Sequence, residues 1–127
     1  MSNAAHINTD TRLKKAQRIK KRRDIEKVFE EGETFRGKNL NTCVLPNSLD
    51  FSRLAIVTGK RVGNAVERNR IRRLLRECFR LNKGLLGPGL DVVLIPRKGF
   101  PTTFPGAEEE FKRLAGRLKT HAARKAR

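Results

Sequence analysis

The 127-residue chain has no tryptophan and no tyrosine, one methionine, two cysteines and two histidines, and each scarcity removes a class of function. Cys43 and Cys78 sit in apolar segments without CxxC spacing. They read as small buried hydrophobes in a reducing compartment, not as a disulfide or zinc site. His6 and His121 lie near the two ends, away from any ligand cluster, so no metal held by the protein itself is expected. No apolar run approaches the roughly 18 residues that span a bilayer, and the N-terminus lacks an apolar signal core. Membrane insertion and secretion are therefore disfavoured, and a cytoplasmic location is expected. Acids are sparse as well, 13 Asp plus Glu, and Asp24, Glu26, Glu30, Glu31, Glu33 and Glu108 to Glu110 are scattered. A two-metal nuclease needs convergent carboxylates about 3.5–4 Å from shared ions. No Ser/His or Cys/His nucleophile pairing is readable either, so no catalytic residue is assigned to the polypeptide.

What the chain has is positive charge. Thirty Lys plus Arg give a formal net charge of +17, which repels itself unless a polyanion neutralises it. Nucleic acid or an anionic membrane surface would serve. The densest run is 60–80, where Ile71, Leu74, Leu75, Cys78 and Phe79 fall on one arc of a helix at about 100° per residue. Arg68, Asn69, Arg72, Arg73, Arg76 and Arg80 fall on the opposite arc. A solvated helix face is the bland reading, but such faces mix signs, and Glu67 and Glu77 are the only acids in this run. The pattern favours a phosphate backbone as the partner.

A chain of this length makes one domain with a modest core. Residues 1–17 read as a basic arm, expected to be disordered until it meets a partner, with 1–4 resembling an expression-tag remnant. Ile25, Val28 and Phe29 at helical spacing predict a helix over 24–31, with Gly32 as a left-handed C-terminal cap. Strands are predicted at 34–36, 40–45 and 53–58, then the arginine helix over 66–81 closed by Asn82, Lys83 and Gly84. Residues 91–96 are apolar on both faces, which places that strand in mid-sheet. A helix with Thr103 as N-cap follows over 104–118, and 120–127 reads as a basic, frayed tail. The order helix-strand-strand-strand-helix-strand-helix makes an α/β fold, a two-layer α+β sandwich, with one folded domain over 18–119.

The run Lys60-Arg61-Val62-Gly63-Asn64-Ala65-Val66, followed by Arg68-Asn69-Arg70-Ile71-Arg72-Arg73-Leu74-Leu75-Arg76, resembles the hallmark of a known family. That family is the protein subunit of bacterial ribonuclease P, the ribonucleoprotein that removes the 5′ leader from precursor tRNA. Arg18 to Lys21 and Val28 to Gly32 resemble its basic arm and first helix, and Asp91 to Arg97 its last strand. The likeness covers about 18–118. It implies a left-handed crossover between the third and fourth strands, against the general right-handed rule. It implies a catalytic RNA that carries the Mg²⁺ ions, and a protein that binds this RNA and the precursor's leader, with no membrane and no obligate protein partner.

On that resemblance Lys60, Arg61, Arg68, Arg70, Arg72, Arg73 and Arg76 would contact phosphates of the catalytic RNA. Gly63 and Asn64 would let free N–H groups of the helix start face an anion. Asn69 would either bond a base edge or sugar, or tie down the preceding loop. Arg70 falls between the two arcs, which leaves bracing of the sheet as its other role. The leader cleft of the family lies between the first helix and the sheet and is lined by aromatics. Phe29 matches one of these positions, Ile25 stands where the family usually has Phe, and Cys43 where an aromatic is common, with Arg36 on the rim. Core packing against Ile25 is the alternative for Phe29. The rival readings are a ribosomal or other structural RNA-binding protein, a helix-turn-helix DNA reader, which strands around the arginine helix disfavour, and an autonomous nuclease.

Overall fold

The computed structural model describes residues 15–125. Helix α1 forms over Arg22–Glu31 and buries Val28. Gly32 ends it in an extended conformation, φ −83° and ψ 175°, and not in the left-handed cap expected from the sequence. Glycine is needed there for space: a Cβ would meet the carbonyl oxygens of Val44 at 2.4 Å and Val28 at 2.5 Å.

Four strands follow, β1 (Glu33–Phe35), β2 (Leu40–Pro46), β3 (Arg53–Ile56) and β4 (Leu90–Pro96), in the sheet order β1-β2-β4-β3. The two-faced apolar strand is central, as its composition requires. β1 with β2 and β2 with β4 run antiparallel, whereas β3 and β4 are parallel and are joined across α2 (Ala65–Leu81). Alternation along the strands then divides two cores. Leu40, Leu54, Val92 and Leu94 meet Ile71, Leu75 and Phe79 of α2 and Phe111 of α4 (Phe104–Lys125). On the other face Cys43, Ala55 and Val93 meet Val28 of α1 and Ile19.

The parallel pair is pinned in register by one charged pair. Arg53 lies opposite Asp91, donating from Nε to Oδ1 at 2.8 Å and from Nη2 to Oδ2 at 2.6 Å, while Asn47 Nδ2 donates to Oδ1 at 2.9 Å. Burial alone would raise the Asp91 carboxyl, but the bonds from Arg53 and Asn47 and the Arg53 charge outweigh it, and its pKa lies below the ordinary value.

Three boundaries depart from the sequence reading. Of the arm, 1–14 lies outside the described residues. Lys15–Gln17 forms a 3-10 turn, and Ile19 donates to the Leu54 carbonyl at 2.9 Å, because the β3 edge offers unpaired backbone groups. The chain after Leu81 makes another short helix, α3 (Lys83–Leu86), which carries Leu86 into the core. Helix α4 continues through the supposed tail to Lys125. His121 anchors it there, 2.6 Å from Glu33 and edge-on to the Phe35 ring at 5.2 Å.

Strand direction has one further effect. Phe35 lies beside Thr42, Leu40 beside Pro96 and Ile56 beside Leu94, so β1, β3 and β4 end where β2 begins. The residues just beyond these strand ends include the exposed Arg36, Lys38, Lys60, Arg61, Arg97 and Lys98.

Candidate nucleic-acid interface

Helix α2 starts in a capping box. Asn64 Oδ1 accepts from the Glu67 N–H and Glu67 Oε1 accepts from the Asn64 N–H, both at 2.9 Å. The anion expected at this helix start is therefore supplied in part by Glu67 itself, and Asn64 works first as a cap. Gly63 leaves room for it, since a Cβ there would lie 2.7 Å from Glu67 Oε1. Ile71, Leu75, Cys78 and Phe79 are buried as their arc requires, with Leu74 half-buried against the same core.

The helix consumes its own acids. Glu67 is held in the cap and Glu77 pairs with Arg80 one turn on. Arg68, Arg70, Arg72, Arg73 and Arg76 are left with no ion pair among the described residues. Arg68 Nη1 reaches the Gly63 carbonyl at 3.4 Å, which steadies the turn before the helix. Asn69 does not tie down that loop: its Oδ1 accepts from Arg72 Nη1 at 2.7 Å and aims the guanidinium. Arg70 is exposed and has no ion pair among the described residues, and Arg73 is exposed on the same helix. Lys60 and Arg61 stand exposed on a 3-10 turn, Lys60–Val62, just before the helix start, whose dipole adds positive potential.

Arg76 is half-buried, and its pKa is pulled down by burial and by the charges of Arg18 and Arg72. Two like charges thus bear on the Arg76 guanidinium, a repulsion that a bound anion relieves. Sequence reasoning placed Arg18 in the arm but not on this face. Its position follows from the arm's pairing with β3, for which the sequence carries no periodic signal. A cleft of about 220 Å³ opens here, between the arm, α1 and β3, and Arg18, Lys20, Ile25 and Arg76 are among its lining residues. The arginine-bearing face of α2 and this cavity are therefore contiguous through Arg76.

The residues expected in the leader cleft separate: of Ile25, Phe29, Arg36 and Cys43, Ile25 alone is among those lining this cavity. Phe29 is 42% exposed, so it is not a core residue, while Ile25 is half-buried against the second core. Cys43 is buried, with its Sγ 3.4 Å from Thr34 Oγ1. It faces α1 from mid-sheet and backs the cleft instead of lining it. Arg36 is exposed at the end of β1. Among the described residues no three His, Cys, Asp or Glu side chains come together as a metal site, and no helix is long and apolar enough to cross a membrane.

The family model described as Ribonuclease P matches residues 13–119. A ribonuclease P protein component from Thermotoga sp. (strain RQ2) is 40% identical over 98 residues, covering 77% of this chain and 78% of the relative. That of Syntrophus aciditrophicus is 45% identical over 85 residues, covering 67% and 71%. The solved structure of the RNase P protein from Thermotoga maritima superposes with a TM-score of 0.72 at 35% identity, over 79% of this chain and 96% of that one.

Proposed function

The chain belongs to the ribonuclease P protein family, the RNA-binding subunit of the ribonucleoprotein endonuclease of tRNA maturation, and from that premise we propose how its surfaces divide the work. Lys60, Arg61, Arg68, Arg70, Arg72, Arg73 and Arg76 hold phosphates of the catalytic RNA, with Asn69 orienting Arg72. The observation that carries this assignment is that α2 spends Glu67 and Glu77 inside the helix and leaves five arginines without a carboxylate. A guanidinium burdened by like charges, as Arg76 is by Arg18 and Arg72, gains most from a polyanion.

The precursor's 5′ leader runs through the cleft beside α1. The exposed ring of Phe29 supports this, because stacking of an unpaired base on an aromatic contributes about 1–3 kcal/mol. With Ile25 where a second ring is usual and Cys43 buried, a larger share of leader affinity falls on Arg18, Lys20 and Arg36. The Mg²⁺ ions of the reaction are held by the RNA and supply activated water there. The polypeptide binds, orients and screens RNA charge, in the cytoplasm and without an obligate protein partner. Its acids support this division: Asp91 is locked to Arg53, Glu108 lies near Lys112 and Glu110 accepts from Asn39.

Multiple-turnover cleavage of precursor tRNA across a Mg²⁺ series tests the reading. Protein alone is expected to be inactive, and the protein is expected to shift the activity of the catalytic RNA to lower Mg²⁺. Identical curves with and without protein would overturn it.

A further inference from the structure

At the β1 edge of the sheet, opposite the edge formed by β3, a groove of about 580 Å³ opens against α4, lined by Phe35, Arg113, Gly116, Arg117, Thr120 and His121. Its volume falls within the roughly 300–1,000 Å³ of sites that hold small organic groups, so a nucleotide fits. Arg117 is fixed in it. Its Nη1 donates to the Arg36 carbonyl at 2.7 Å, and its guanidinium carbon stands 5.8 Å from the Phe35 ring centroid. Unlike Arg113, which lies against Glu109 and Glu110, Arg117 has no carboxylate partner among the described residues. Nearby, Arg97 Nη1 donates to the adjacent Gly37 carbonyl at 3.1 Å, so two guanidiniums converge on one turn.

A planar guanidinium backed by a ring suits the face of an unpaired base. Duplex RNA, whose bases stack on one another, offers such a platform phosphates, 2′-hydroxyls and base edges but no open base face. The groove lies on the α4 face of the sheet and the cleft on the α1 face, and at this edge only the short strand β1, into which α1 leads, separates the two faces. Thr34 of β1 faces Cys43 on the α1 face, while the next residue, Phe35, faces the groove, so a strand crossing this three-residue edge meets both faces.

We propose that the groove binds an unpaired RNA segment, the leader nucleotides upstream of those in the α1 cleft, with Arg117 as the stacking platform. The proposal rests on the assignment of the leader to that cleft.

Gly116→Glu tests it, because the substitution puts a carboxylate into the groove at a helical position where nothing lies within 4 Å of an added Cβ. The reconstituted ribonucleoprotein is titrated with two precursor tRNAs, one with a leader that fills only the cleft and one with a leader twice as long. Wild type is expected to bind the long leader more tightly. Gly116→Glu and Arg117→Ala are expected to remove that gain, a loss of about fivefold or more, with short-leader affinity and melting temperature unchanged. Gly116→Lys is expected to keep it. A Gly116→Glu protein that retains the full gain overturns the proposal. So does an equal loss for both leaders, which assigns the groove to the catalytic RNA or the tRNA body. Short-leader affinity unmoved by Phe29→Ala overturns the cleft reading, and the proposal with it, whereas loss of the short-leader contact with an intact wild-type length gain leaves both standing.

Discussion

Val28 and Phe29 are neighbours on α1 with opposite surroundings, and truncating each separates folding from leader binding. Val28 is 0% exposed and packs with Ile19, Cys43, Ala55 and Val93, whereas Phe29 is 42% exposed and lies outside both cores. Aliphatic truncation in a core costs about 2–5 kcal/mol, and the loss of two methyls puts Val28→Ala near the lower end. A buried Phe→Ala costs about 3–5 kcal/mol. With the Phe29 ring only partly covered, its truncation should cost about 1–2 kcal/mol. Binding should invert the order. Loss of one base stack weakens leader affinity by about 1–3 kcal/mol, or roughly 5–150-fold, and Val28→Ala should leave the affinity of the folded protein near wild type. Denaturant midpoints, with dissociation constants for precursor and mature tRNA on the same two proteins, decide it. Ile25→Phe should raise the precursor-to-mature ratio by restoring a second ring. The reasoning fails if Phe29→Ala shifts the midpoint as far as Val28→Ala and leaves that ratio unchanged.

Arg72→Ala should weaken binding of the catalytic RNA and lower the salt slope of affinity by about 1, with stability within about 0.5 kcal/mol of wild type; Asn69→Ala should do the same more weakly, and salt titrations with thermal melts check both. Asp91 titrates below the ordinary carboxylate value in the folded protein, so its contribution is full above about pH 4 and is lost as pH falls through the folded pKa. Asp91→Asn should therefore cost about 1–3 kcal/mol at neutral pH and flatten the acid limb of the stability profile, measured by urea unfolding across pH. Gly32→Ala should destabilise by about 1–3 kcal/mol, because the new methyl meets two backbone carbonyls that cannot rotate away; an unchanged melting temperature would refute that contact.

Long periodic segments were the legible part of the sequence. The arginine helix and the central strand announce themselves because burial on one face or on two leaves a pattern in which every third, fourth or second residue must be apolar. The capping box was not legible: Asn64 and Glu67 were both in the sequence, but the helix start read there as an open anion site, and only the structure shows Glu67 closing back on it. What else escaped depends on partners distant in sequence. The arm's pairing with β3 rests on main-chain bonds such as Ile19 to Leu54, which any side chain permits. Gly32 reads as a cap in isolation, and only the approach of Val44 shows that it answers a steric demand. Helix α4 passes its last periodic leucine because His121 finds Glu33 and Phe35 on the edge strand β1, a contact between residues far apart in sequence. The arc calculation separated arginine from leucine correctly but not one arginine from another. Half-buried Arg76 and exposed Arg73 differ because Arg18 packs near one of them.

The topology explains why so basic a chain presents its charge as a surface instead of as scattered loops. In a meander of four antiparallel strands, successive connections alternate between the two ends of the sheet, and cations in consecutive loops would be divided between them. Here the parallel pairing of β3 with β4 returns the segment after β4 to the same end as the segment after β3, and the β1–β2 connection already lies there. Arg36, Lys38, Arg97, Lys98, Lys60 and Arg61 therefore line one end in the spatial order β1, β2, β4, β3, and the series runs into the start of α2. At the opposite end Asp91 is neutralised by Arg53. The crossover that makes β3 and β4 parallel is the arginine helix itself, so one connection both sets the sheet order and joins the cationic end to the cationic helix face.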